Sequence, residues 1–209
     1  MVSLDALQGI PCSGGGTAGS VRIEYGAAGA VSLTCAQSPV SPVTASGVRI
    51  NEVETGTAAS ASEEFVELFN AGTAPADIAE WKVVYRSAAG TSDTVLATIP
   101  TGTTLAPGGF FVLGGASYAG AQAADQSFST GLAATGAAVG LRDDTGNLVD
   151  SVGWGSATNA LVESAAAPSP PATAAPGSSI VRLPDGHDTN SNASDFTVSS
   201  TPTPHAANR

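Results

Sequence analysis

An all-β sandwich is the fold class this sequence predicts, and three observations predict it. Nine short runs alternate apolar and polar side chains, clusters of Gly, Pro, Asn and Asp separate them, and no run carries the apolar period of an amphipathic helix. The 209 residues suffice for one domain of about 150 residues with a smaller appended unit. The boundary falls near Gly47, giving a β-hairpin unit with a Pro-rich linker over 1–47 and the sandwich over 48–209.

In the first unit, Ser20–Tyr25 alternates, Gly26–Gly29 turns, and Ala30–Cys35 alternates again, which reads as a hairpin. A two-stranded unit is marginal alone. The sequence has two cysteines, Cys12 and Cys35. A disulfide between them would close a loop of about 24 residues and contribute roughly 3 kcal/mol in the chain-entropy model; free thiols or a metal role are the alternatives. The disulfide is the expected state, and it points to an oxidising compartment. Residues 36–47, with Pro39 and Pro42, suit an extended spacer.

The sandwich strands follow in order. Val48–Val53 and Glu64–Asn70 alternate, the second placing Val66 and Leu68 on one side and Phe65, Glu67 and Phe69 on the other. Asn70–Gly72 turns. Trp81–Tyr85, Thr94–Ile99, Gly109–Leu113, Ala137–Arg142, Leu148–Val152, Ser179–Leu183 and Asp195–Val198 complete the set, with Asp143–Asn147 as a hairpin loop. The Pro-rich stretch 165–178 reads as an exposed loop or a disordered insertion.

Charge narrows the partners. Seven Lys and Arg face 18 Asp and Glu, a net charge of −11. Duplex phosphates need a basic stripe that releases counterions, so nucleic acid is excluded as a partner, and anionic membranes by the same argument. Divalent cations, neutral glycans and proteins remain. No stretch of about 18 apolar residues offers membrane insertion. Met1–Asp5 lacks the basic and apolar regions of a signal peptide, so the reading is either a cytosolic chain or one that begins after a removed leader. The cysteines favour a secreted or cell-surface location.

The motifs Ile50–Val53, Glu64–Asn70, Ile78–Trp81, Leu105–Gly109, Leu141–Gly146, Val149–Val152, Arg182–Gly186 with Asp195–Phe196, and Pro202–Pro204 with Asn208 occur in an order that resembles the bacterial lamin-tail domain over about residues 48–208. The resemblance implies an immunoglobulin-like sandwich, found as one module of larger secreted or surface proteins and without enzyme activity of its own. Two positions depart from it. Glu80 follows Ala79 where the family has serine-glycine before tryptophan, and His205 stands where it has glycine after the final proline.

Common catalytic motifs are absent: no Gly-x-Ser-x-Gly, His-Glu-x-x-His, phosphate loop or Cys-x-x-Cys. His187 and His205 sit in polar, loop-like sequence, and neighbouring Asp185 and Asp188 do not make a triad. Glu52, Glu64 and Glu67 belong to alternating strands, where carboxylates ordinarily face solvent. No catalytic residue is assigned and the chain is read as a non-enzyme. The loop Asp185–Asp195 stands out. Asp188, Asn190, Asn192 and Asp195 present oxygens at alternate positions, with Glu52 available from another strand, which makes calcium the candidate cofactor. Such residues equally build a hydrogen-bonded loop, and the sixth-position glycine and closing glutamate of an EF-hand are missing. Trp81 reads as core. Trp154, between Gly153 and Gly155, reads as the candidate exposed aromatic for ligand binding. The expected function is a non-catalytic extracellular interaction or structural module with a protein or glycan partner, calcium-stabilised in its finer form. A carbohydrate-binding module is the alternative and a hydrolase the third reading.

Overall fold

The computed structural model describes residues 11–14, 17–26, 30–37, 47–170 and 177–209. The chain forms two compact units, residues 1–45 and 46–209. In the first, β1 (Pro11–Gly14), β2 (Thr17–Tyr25) and β3 (Val31–Gln37) make an antiparallel sheet in the order β1-β2-β3. The expected hairpin is β2–β3. Its expected staple finds no support in the register: Cys12 pairs with Gly19 and Cys35 with Val21, so β2 lies between the cysteine-bearing strands. Two strand spacings are about 9.5 Å, beyond the roughly 4.4–6.8 Å between Cα atoms that a disulfide bridges. The cysteine side chains, and linker residues 38–46, lie outside the described residues.

The second unit is the sandwich. Its elements are β4 (Val48–Thr55), β5 (Glu64–Asn70), β6 (Ala76–Asp77), β7 (Lys82–Ser87), β8 (Thr94–Thr98), β9 (Thr104–Leu105), β10 (Phe110–Gly114), β11 (Gln126–Ser127), β12 (Gly136–Arg142), β13 (Leu148–Gly155), β14 (Ser179–Arg182), α1 (Asn192–Asp195) and β15 (Phe196–Ser199). One sheet runs β11-β10-β5-β4-β14-β15, the other β13-β12-β7-β8, and β6 pairs with β9. All nine expected sandwich strands are present; the two-residue strands and the one-turn helix carry too little pattern to be legible.

The core lies between the sheets. Ile50 and Val53 of β4, Val66 and Leu68 of β5, Leu113 and Ile180 meet Val83, Val139, Leu141, Val152 and Trp154. Strict alternation along β4 would put Glu52 on the same face as Val48 and Ile50. A β-bulge prevents it: Ile50 pairs with Leu68 and Glu52 with Glu67, so Asn51 is the extra residue and the face inverts there. Val53 thereby enters the core while Glu52 and Glu54 point away from it.

The outer face of β4 and β5 is covered rather than solvated, which corrects the expectation for their glutamates. Glu64 is buried on the face of Val66 and Leu68, where Leu132 N–H donates to it at 2.6 Å, and Glu52, Glu54 and Glu67 are buried on the outer face. The segment 203–208 crosses over them: Thr203 N–H donates to Glu52 at 3.1 Å, His205 N–H to Glu67 at 2.7 Å, and Asn208 donates to the carbonyls of Asn51 and Arg182, each at 3.1 Å. The Pro-rich stretch is also partly structured. Ala167 is buried and makes a parallel bridge to Trp154, with Ala167 N–H donating to the Gly153 carbonyl at 2.7 Å. Residues 171–176 lie outside the described part.

Candidate functional site

Among the described residues a dense polar arrangement centres on Arg182, the last residue of β14, with a fully buried side chain. Burying a guanidinium requires that its donors and charge be met, and the surrounding elements do so. Its Nη2 donates to both oxygens of Asp150 on β13, at 3.1 and 3.2 Å. Nε donates to the Ile50 carbonyl beside the β4 bulge at 3.0 Å, and Nη1 to the His187 carbonyl at 2.7 Å and to Asp195 Oδ2 at 3.2 Å. The guanidinium also lies over the Phe196 ring, 4.6 Å from its centroid. Asp150 receives a further bond from Ile50 N–H at 2.6 Å. Burial pushes its carboxyl up to about 6, against the downward pull of Arg182.

Around this ion the Asp188–Asp195 loop is organised, and the five residues expected as one calcium shell separate. Asp188 accepts from Arg49 Nε at 2.8 Å and from Asn190 N–H at 3.0 Å, and stands 3.5 Å from Arg182 Nη1. Asp195 accepts from the backbone and hydroxyl of Thr189 at 3.0 and 2.7 Å. These two converge on Arg182. Asn190 is an exposed turn residue with φ 57°. Asn192 is fully buried and faces β13: its oxygen accepts from Gly153 and Glu163 N–H, and its amide donates to the Ser151 carbonyl and Glu163, all at 2.9 Å. Glu52 belongs to the group under residues 203–208, where Ser179 Oγ and Thr203 donate to it. Three carboxylates do come together, Asp150, Glu163 and Asp188, each with an oxygen within 4.8 Å of the others. Only Asp188 of these was expected.

Glu163 is held up at about 7, by burial and by the charges of Asp150 and Asp188. Asp188 is held below its ordinary range by Asn190 N–H, Arg182 and Arg49, against its partial burial.

Trp154 corrects the expected ligand platform. Its side chain is fully buried in the core, and its indole N–H donates to the Ala133 carbonyl at 3.0 Å. The flanking glycines serve close packing: a Cβ at Gly153 would stand 2.5 Å from Val162, and one at Gly155 2.3 Å from the Thr135 carbonyl oxygen.

A family model described as Lamin Tail Domain matches residues 41–156, more than half of the chain. The chain belongs to the lamin tail domain family. No curated protein matches it. The Arg182 hub joins the matched stretch to the chain beyond it: Ile50 and Asp150 lie inside the match, while Arg182, Asp188 and Asp195 lie C-terminal to it.

Membership gives the two departures a physical meaning. Glu80 has φ 61° and His205 φ 65°, both left-handed, a conformation in which a side chain is strained and glycine is not. Glu80→Gly in this lamin tail domain is therefore expected to raise stability by about 0.5–1 kcal/mol, read as a higher urea midpoint at unchanged m. A lower midpoint would show that the Glu80 side chain makes a compensating contact.

Proposed function

We propose that this lamin tail domain is a non-catalytic interaction or structural module of an extracellular protein. One observation carries the reading: the buried carboxylates of Glu52, Glu67, Asp150 and Asp195 are held by backbone N–H groups, hydroxyls, an amide and Arg182. Carboxylates engaged in this way act as structural anchors and leave little freedom for proton transfer to a substrate. Incubation with chromogenic ester, phosphodiester and glycoside substrates is the test. Turnover above buffer that disappears in Glu67→Gln would overturn the reading.

The basic residues support an extracellular setting. The sandwich carries Arg49, Lys82, Arg86, Arg142, Arg182 and Arg209. Arg49 pairs with Asp188, Arg86 and Arg142 share Asp93, Arg182 is buried, and Lys82 is within β7. A protease that cuts after basic residues needs an unfolded segment around them. Trypsin is expected to leave residues 46–209 largely intact for hours at 25 °C, with mass spectrometry as readout. Rapid cuts after Arg86 or Arg142 would count against this.

Calcium is the finer part of the proposal, and it shifts to Asp150, Glu163 and Asp188, of which only Asp188 belongs to the expected shell. Arg182 competes for two of those carboxylates. A rise in melting temperature when calcium is added to chelator-treated protein, lost in Glu163→Gln, supports the cation. No shift at millimolar calcium removes it from the reading and leaves Arg182 as the charge partner.

A further inference from the structure

A second feature lies apart from the Arg182 hub, on the outer side of β4 and β5. A cavity of about 440 Å³ is lined by Glu54, Glu63, Phe65, Tyr118, Pro202 and Arg209 among others. Glu54 is only 7% exposed, and its Oε1 is buried without a hydrogen-bond partner. The hydroxyl of Tyr118, another residue that lines the cavity, is likewise buried and unpartnered. Glu54 Oε1 lies 3.9 Å from the point where a Cβ on Gly177 would stand, and Gly177 also lines the cavity. Two orphaned polar atoms on residues that line one cavity are costly unless a side-chain movement or a ligand brings a partner to them.

The charge of such a ligand follows from the surroundings. Burial is the leading cause that raises Glu54 and Tyr118, and the negative charges of Glu52 and Glu63 raise Glu54 further, as those of Glu67, Glu54, Glu52 and Asp125 raise Tyr118. Arg209 is the one cationic group among the lining residues. Phe65 and Tyr118 meet edge to face, with ring centroids 6.0 Å apart, and Ala119, Ala121, Pro202 and Pro204 extend the apolar wall. A bare calcium ion would need six to eight oxygens, more than these largely apolar walls offer. An organic cation needs what is present: an acidic acceptor, a phenol oxygen, aromatic rings and an apolar sleeve.

We propose that this cavity binds a primary alkylammonium group, with Glu54 as its carboxylate acceptor, the Tyr118 oxygen as a second acceptor, and Phe65 and the proline and alanine walls around its alkyl chain. The same chemistry belongs to a free amine and to a lysine side chain of a partner protein. The proposal does not depend on the extracellular reading or on calcium.

Thermal unfolding at pH 8.5, where Glu54 can ionise, is followed with n-butylammonium chloride, with sodium chloride at equal ionic strength and with n-butanol. The amine alone is expected to give a saturable rise of roughly 2–5 °C. Glu54→Gln, which removes the charge with little change of shape, should fold and lose at least about tenfold in affinity, and Tyr118→Phe should lose less. A lysine peptide blocked at both ends separates the sources: tighter binding than butylammonium assigns a protein lysine, weaker binding a free amine. No saturable shift with either amine, or an equal shift in Glu54→Gln, would overturn the site.

Discussion

Arg182→Met is expected to cost about 3–5 kcal/mol, measured as the loss in unfolding free energy in urea, and to bring the sandwich close to unfolding. Methionine fills much of the volume and still packs on Phe196, so the loss comes from what the guanidinium leaves behind. Asp150 and Asp195 are both buried, and Asp150 loses its only cationic contact within hydrogen-bonding distance among the described residues. The carbonyls of Ile50 and His187 lose a donor as well. The triple variant Arg182→Met, Asp150→Asn, Asp195→Asn separates charge from packing. It should recover a substantial part of the loss, because it removes the stranded charges without restoring the ion. A loss under about 1 kcal/mol in the single variant would mean that Arg182 is not what holds β14, β13 and the 188–195 loop together.

Nine strands are legible in the sequence because each has a two-residue period bounded by turn residues, and that pattern is local. What escapes is decided by chain segments far apart in sequence. Nothing around Asn51 announces the β4 bulge, yet that one residue determines that Glu52 leaves the core face and Val53 joins it. Alternation places Glu67 correctly on the outer face. It does not say that residues 203–208 cover that face, because the covering segment lies more than 130 residues away. The Asp-rich loop is visible and its alternate oxygens suggest a metal ion; that the buried cation Arg182, six residues before Asp188, also reaches it is not visible. Arg182 enters the sequence reading only as part of a family motif. At Trp154 the flanking glycines suggest exposure, whereas glycine also marks where neighbours approach too closely for a Cβ, and that is its use here.

The second large effect concerns pH, and its sign is opposite to ordinary acid denaturation. Burial is the leading cause that pushes Glu52 and Glu64 up to about 7 and Glu54 and Glu67 up to about 8, against 4.5 for the same group unperturbed. The folded state therefore binds protons that the unfolded state has released between about pH 4.5 and 8. Stability must fall as pH rises through that window. Raising a pKa by one corresponds to about 1.36 kcal/mol, so a rise of only one at each of Glu52, Glu54 and Glu67 gives about 4 kcal/mol in total. Asp93 and Asp188 act in the other direction, since ion pairs and hydrogen bonds hold them below their usual value of 3.8. Their contribution is lost only as pH drops below about 4. The melting temperature should thus peak near pH 5 and decline steadily to pH 8.5. Glu54→Gln should flatten the decline more than Glu52→Gln. Glu54 Oε1 has no bond to offset its ionisation, whereas Ser179 and Thr203 donate to Glu52 and support its charged form. A melting temperature that climbs from pH 5 to pH 8 would mean that these carboxylates ionise at little cost, and that the cover provided by residues 203–208 opens readily to water.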